Sequence, residues 1–305
     1  MLRAAVVGAG QIARKVYLPV LSAREDVELA VLVEPDGDRR REMNRAYRFG
    51  KAVSSVEQIS EGQVDCAFLL TPEPVRLAPA AALLQRGLDV LVEKPMAMSL
   101  GDAEKMVAAA EKNGRILMVG FNRRFMPVFR KAKEFLAGRK IELCRVFKQG
   151  ANLIAHTIHV LDVLRFFCGD PVEIQATGDF EGDKEVVAAA LIRFDSGALG
   201  IFHTSARVGT RLEVFEAHGA GFSVFVEAPD RTVMHADGKE ETFRPATQTW
   251  YTQSEQHYGF TDEVAHFLEA VRSRATPECS AADAIKSHRL AFDILAAMKE
   301  HGRQL

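Results

Sequence analysis

The sequence predicts an α/β chain in two parts: a doubly wound parallel sheet at the N-terminus, followed by an α+β domain with an open, mostly antiparallel sheet. Three observations carry this. Over the first 120 residues, short apolar runs without alternation recur between Gly or Pro breaks and amphipathic stretches of helical length. A glycine-rich turn stands directly after the first run, and beyond residue 121 the runs follow one another across short turns. Strands that are apolar on both faces and alternate with helices belong to a parallel sheet covered on each side, whereas consecutive strands joined by short turns pair antiparallel. The domains are accordingly expected at 1–121 and 122–305.

In order, the spacing predicts strands over 3–7, 27–33, 64–70, 89–92 and 116–119, with helices over 11–24, 36–49, 74–86 and 99–113 between them. After Phe121 come a basic helix over 123–137, a strand over 141–148 and a helix over 156–167 that Gly169 and Pro171 close. Strands follow over 172–177, 186–194, 198–205, 212–218 and 222–227, separated by turns such as Asp195-Ser196-Gly197. Two helices, over 255–272 and 281–301, finish the chain with Pro277 between them.

Composition excludes several classes. At roughly 100–200 residues per domain, the 305 residues suggest two domains, each able to bury its own core. With 39 Lys+Arg against 41 Asp+Glu the net charge is -2, too small a field to attract nucleic acid or anionic lipid indiscriminately. No apolar run approaches the ~18 residues that a bilayer requires, and the apolar stretch before Gly8 is too brief for a signal peptide, so a cytoplasmic protein is expected. Cys66, Cys144, Cys168 and Cys279 form no CxxC pair and read as free buried thiols, not a disulfide or zinc framework.

Gly8-Ala9-Gly10-Gln11-Ile12-Ala13 is GxGxxA between the first strand and the first helix. Gly8 permits the tight turn, Gly10 lets a pyrophosphate approach the backbone, and Ala13 allows close helix–strand packing. Gln11 and Ile12 open the helix whose free N–H groups face the phosphates. Glu34 ends the second strand, where a carboxylate accepts hydrogen bonds from the adenosine ribose and repels a 2′-phosphate. This Rossmann-type pattern favours NAD. Arg39-Arg40-Arg41 keeps NADP open if the loop folds back toward that position.

Glu93-Lys94-Pro95 ends a predicted parallel strand, so Lys94 belongs at the carboxyl edge where open α/β sheets bind ligands. Together with Thr71-Pro72 and Val119-Gly120-Phe121-Asn122-Arg123-Arg124-Phe125, this pattern resembles the Gfo/Idh/MocA family of oxidoreductases. The resemblance implies an NAD(P)-dependent dehydrogenase of a secondary alcohol in a sugar, cyclitol or related polyol. It also implies a second domain whose open sheet mediates homo-oligomer contacts, as a dimer or tetramer. Gly8, Gly10 and Glu34 would hold the cofactor, Thr71, Pro72 and Glu93 line its nicotinamide side, and Lys94 polarise the reacting oxygen. Arg123, with Arg124, either contacts cofactor or an acidic substrate, or begins the basic helix that includes Arg130, Lys131 and Lys133.

The pattern departs from the family in the second domain. Relatives that oxidise alcohols often carry Asp-x-x-x-His followed by an acid three residues on; His159 and Asp162 match, but the expected aspartate is Ala155. His159 remains a candidate proton carrier, and His156, one turn earlier, is a candidate for the missing polar role. His156, His159 and Asp162 drift around a helix too steadily to make a convincing zinc site, so no metal is expected. Arg76 replaces a histidine common in relatives, and either favours an anionic substrate or faces solvent. Trp250, Tyr251, His257 and Tyr258 either wall a sugar pocket or pack beneath a loop. The alternative to an enzyme is a catalytically impaired dinucleotide-binding sensor or regulatory protein of the same fold.

Overall fold

Six parallel strands, β1 (Leu2–Val7), β2 (Val27–Val33), β3 (Lys51–Val53), β4 (Cys66–Leu69), β5 (Asp89–Glu93) and β6 (Leu117–Gly120), form one sheet in the order β3-β2-β1-β4-β5-β6. The computed structural model describes residues 1–182, 184–246 and 254–301. The order reverses between β1 and β4, which creates the crevice where doubly wound sheets bind ligands. β4, β5 and β6 are buried along their length, which explains the apolar run within each. β3 escapes the sequence pattern because three residues carry no periodicity.

The first connection is irregular: a π-helical turn at Ala13–Tyr17 leads into α1 (Leu18–Ser22), with Pro19 in the first turn of α1. α2 (Gly37–Tyr47) is capped by Asp36, whose carboxylate accepts the Arg39 N–H at 2.8 Å. α3 (Leu77–Gln85) follows a 3-10 turn, and α4 (Leu100–Asn113) runs from a Ser99 cap to Gly114 in the left-handed region.

The chain divides into two units: Met1–Phe121 with Phe260–Ile285, and Asn122–Gly259 with Lys286–Leu305. The segment Phe260–Ile285, expected in the second domain, thus belongs to the first. Packing explains the difference. In the helix Phe260–Ser273, the Phe267 ring lies edge-on to Phe68 at 5.3 Å and Phe260 edge-on to Tyr17 at 5.8 Å. Arg272 binds Asp26 at 2.6 Å, Arg274 binds Asp89, and Met118 on the edge strand β6 bridges Ser280, with the Val119 N–H donating to the Cys279 carbonyl at 2.9 Å.

The second unit is built on eight strands: β7 (Leu143–Gln149), β8 (Pro171–Glu181), β9 (Lys184–Phe194), β10 (Leu199–Ser205), β11 (Glu213–Gly219), β12 (Phe222–Glu227), β13 (Arg231–Ala236) and β14 (Lys239–Phe243). Every neighbouring pair is antiparallel except β10 with β7. The core lies between this sheet and α5 (Pro127–Leu136), α6 (Ile158–Cys168) and residues of the last helix such as Leu290, Ile294 and Met298. β8 and β9 are each eleven residues long, well beyond the short strand expected at 172–177. β13 and β14 were not foreseen because β14 is mostly charged, as suits the edge of a sheet. All four cysteines are buried and free. Among the described residues no helix is long and apolar enough to cross a membrane.

Candidate active site

The glycine turn sits at the switch point. Gly8 has φ +94°, and a β-carbon on it would stand 3.0 Å from the Thr71 nitrogen and 3.1 Å from the Leu70 oxygen, so the β1 turn passes directly against the exit of β4. A β-carbon on Gly10 would meet nothing within 4 Å. Gly10 therefore lies on open surface, bounding a cleft of about 620 Å³ lined by Ala9, Gly10, Gln11, Arg14, Lys15 and Arg39. The Thr71 hydroxyl is buried with no hydrogen-bond partner among the described residues. An open glycine surface, three cations and an unsatisfied hydroxyl at a sheet switch point fit a dinucleotide with its pyrophosphate at the turn. Pro72, beside Thr71, is exposed, and Ile12 leads into the π-turn that buries Ala13 and Tyr17.

Glu34 is where the sequence places it, at the end of β2, but it is buried and already at work. Oε2 accepts the Ala9 N–H at 2.8 Å, Oε1 accepts the Asp36 N–H at 3.0 Å, and Arg39 stands 3.6 Å away. A carboxylate has about four acceptor positions, which leaves room for ribose hydroxyls while the acid pins the glycine turn. Of the three arginines, Arg40 donates to the Glu34 and Pro35 carbonyls and Arg41 pairs with Asp38, so Arg39 is the one that faces the cleft.

At the end of β5 the backbone around Lys94 is tied down by Arg76. The sequence offered an anionic substrate or solvent for this arginine; instead it is buried, and its guanidinium donates to the carbonyls of Thr71 at 2.8 Å, Glu93 at 2.7 Å and Pro95. Burial pulls its pKa down, against the opposing effect of Glu93. One side chain thereby joins the exits of β4 and β5. The Glu93 carboxylate turns inward to the Tyr17 hydroxyl at 2.9 Å, and burial raises its pKa despite Lys94 and Arg76. Lys94 is half-buried.

In the second unit, His159 is buried on α6. His156 does not share its face. It lies in a π-helical turn, Leu153–Thr157, that ends before α6 begins; its ring is exposed, with Nδ1 donating to the Ala151 carbonyl at 2.9 Å. Asp162 is fully buried in a bidentate pair with Arg124, at 2.7 and 2.6 Å, and also accepts the Ser287 hydroxyl at 2.7 Å. This spends the carboxylate structurally and separates it from any metal-binding arrangement with the two histidines. Arg123 is likewise spent: it forms a bidentate pair with Glu213 at 3.1 Å, and Lys148 stands 3.5 Å from the same acid. Burial alone would raise the Glu213 pKa, but Arg123 and Lys148 bring it down to about 2. Of the two readings the sequence allowed for Arg123, cofactor or substrate contact and solvated helix start, the second is overturned by its burial; a buried guanidinium needs a carboxylate, and here Glu213 supplies it. Tyr258 packs against the second core and its carbonyl accepts from Asn122, whereas Trp250 and Tyr251 lie outside the described residues. Among the described residues, no group of three His, Cys, Asp or Glu side chains converges on a metal position.

Comparison with known proteins bears on the same residues. Residues 2–121 match the model of an oxidoreductase family with an NAD-binding Rossmann fold, and residues 110–224 match the GFO/IDH/MocA C-terminal domain. The chain belongs to the Gfo/Idh/MocA family of oxidoreductases. It is 26% identical to the myo-inositol 2-dehydrogenase of Thermotoga maritima, across 98% of this chain and 97% of that protein. It is 25% identical to the scyllo-inositol 2-dehydrogenase (NAD(+)) of Bacillus subtilis, across 93% and 90%. Among solved structures, an Agrobacterium radiobacter oxidoreductase in complex with NAD+, L-tartaric acid and magnesium superposes with a TM-score of 0.89 at 18% identity, over 100% of this chain and 99% of that one. The Gfo/Idh/MocA assignment thus spans the cofactor turn, the Lys94 strand end and the start of the second unit. Tyr17 and Glu263, which meet at the foot of that strand end, were not singled out from sequence; a lone tyrosine and a helical acid give no local signal.

Proposed function

We propose that this chain is an NAD-dependent dehydrogenase that oxidises a secondary hydroxyl of a sugar, cyclitol or related polyol, or reduces the matching ketone. The observation that carries the reading is the Lys94 strand end, fastened through Arg76 to the exit of β4 beside the glycine turn. The inositol substrates named for the relatives support the polyol class. Bound NAD supplies the hydride acceptor. Lys94, as an ammonium, donates to the reacting hydroxyl oxygen and favours its alkoxide. His159 holds the departing proton. Ala155 supplies no acid and His156 is exposed with its ring on a backbone carbonyl, so the proton step is assigned to His159. Thr71 and Pro72 border the nicotinamide, and Glu34 takes the ribose. A cytoplasmic homo-oligomer completes the reading. Free buried cysteines suit a reducing compartment, and exposed Leu143, Leu191 and Ile201 on neighbouring strands β7, β9 and β10 suit burial against a second copy.

Lys94→Ala tests the reading. Following reduced-nicotinamide absorbance with a panel of cyclitols and sugars, kcat should fall by about 10²–10⁴-fold, while calorimetry shows NAD affinity preserved. A Lys94→Ala enzyme that turns over like the parent refutes the assignment.

A further inference from the structure

Beneath Lys94, within the first unit, the Tyr17 hydroxyl lies 2.9 Å from Glu93 Oε1 and 3.0 Å from Glu263 Oε2. All three side chains are buried. Three separate segments deliver them: the π-turn brings Tyr17, the end of β5 brings Glu93, and the helix Phe260–Ser273 brings Glu263. Aromatic rings flank the phenol, with Phe68 at 6.1 Å and Phe260 at 5.8 Å. Gly120 leaves the space, since a β-carbon there would stand 3.1 Å from the phenol oxygen and 3.6 Å from Glu263 Oε1.

Proton counting decides what this arrangement is. A phenol owns one hydrogen and gives it fully to one acceptor. If both carboxyls were ionised, two negative charges would crowd one buried oxygen, and one of the two contacts would lack a hydrogen. We propose that Glu93 and Glu263 keep one proton between them at neutral pH, forming a carboxyl–phenol–carboxylate chain in which Glu263 is a positioning residue for the Lys94 strand end. Lys94 and Arg76 draw the negative charge to Glu93, and the proton sits on the Glu263 side, donating to the Tyr17 oxygen while Tyr17 donates to Glu93. Burial and both acids push the Tyr17 pKa well upward, so the phenol keeps its hydrogen. Glu93 is then a fixed anion behind the ammonium at the next residue. Its position is set by a hydrogen-bond chain anchored on a helix from the far end of the sequence.

The positioning role rests on the reading of Lys94 given above; the shared proton does not. Infrared difference spectra at neutral pH, parent minus Glu263→Gln, should show the carbonyl stretch of a protonated carboxylic acid, shifting in D2O. Glu263→Leu, which removes the donor, should lose kcat by about ten- to a hundredfold through misplacement of the strand end, with NAD affinity unchanged. Glu263→Gln, whose amide donates to Tyr17 in the same geometry, should recover most of that loss. No protonated-carboxyl band in the parent overturns the shared proton. A Glu263→Leu enzyme as active as the parent, or a Glu263→Gln enzyme as impaired as Glu263→Leu, overturns the positioning role. If Lys94→Ala is also fully active, the fault lies with the reading of Lys94, and the infrared band still decides the proton. Should Glu263→Leu fail to fold, the Gln variant and the spectra retain the decision.

Discussion

Replacing Asp162 by alanine isolates the buried brace of the second unit. The carboxylate takes two short charge-assisted bonds from Arg124, at 2.7 and 2.6 Å, and a third from Ser287 at 2.7 Å; Arg165 in turn donates to that serine at 2.8 Å. Asp162 is 0% exposed and Arg124 6%, so water cannot replace the lost acceptors. Breaking a buried pair from one side costs about 3–5 kcal/mol. With ~2–4 °C of melting temperature per kcal/mol for units of 150–250 residues, Tm should fall by ~6–20 °C. Circular dichroism melts of parent, Asp162→Ala and Asp162→Asn in parallel provide the check. Asparagine, with the same shape and one remaining acceptor, should fall between the other two. An Asp162→Ala protein melting within about 2 °C of the parent refutes the claim that this carboxylate is structural, and returns it to the list of groups available for chemistry.

The two glycines of the turn should separate strain from access. Gly8→Ala places a β-carbon against the β4 backbone at a left-handed φ, and should cost about 1–3 kcal/mol of stability. Gly10→Ala meets no protein atom, so Tm should hold while calorimetry shows NAD affinity reduced about tenfold or more (~1.4 kcal/mol); undiminished binding would show that the dinucleotide lies elsewhere. Glu213 gives a pH signature. Its folded pKa, about 2, is below the ordinary value of 4.5, so its stabilisation is complete above about pH 4.5 and is lost as pH falls toward 2. The urea stability gap between parent and Glu213→Gln should be level above that range and shrink below it; a gap independent of pH would mean the pair with Arg123 contributes nothing.

Much of the first unit was legible because each strand–helix step announces itself locally. The glycine turn, the acid at the end of β2 and the Lys94 strand end all depend on residues adjacent in sequence. What was not legible depends on partners or local geometry that sequence patterning does not report. For Arg123 and Arg124 the sequence offered a cofactor or acidic substrate on one side and the start of a basic helix on the other, because nothing nearby reveals the carboxylates 90 and 38 positions further on that pair with them. Arg76 read as a substrate or solvent residue because its acceptors are main-chain carbonyls, which no side-chain pattern reports. His156 was assigned to the face of His159 on regular helical spacing, and a π-turn widens that spacing. β13 and β14 pair with little apolar alternation to mark them, since an edge hairpin is stabilised by its ladder and its neighbour.

The return of Phe260–Ile285 to the N-terminal sheet bears on how the polypeptide is made. The free margin of β6 is covered by Ser280 and Cys279, and the Tyr17 phenol meets Glu263, so these contacts await residues translated long after β6 itself. A ribosome-bound nascent chain that has emitted only the first 121 residues holds an uncovered strand margin, the kind of surface on which aggregation begins. Completion of the cofactor-binding unit therefore comes later in biogenesis than translation of its six strands, gated by the segment Phe260–Ile285.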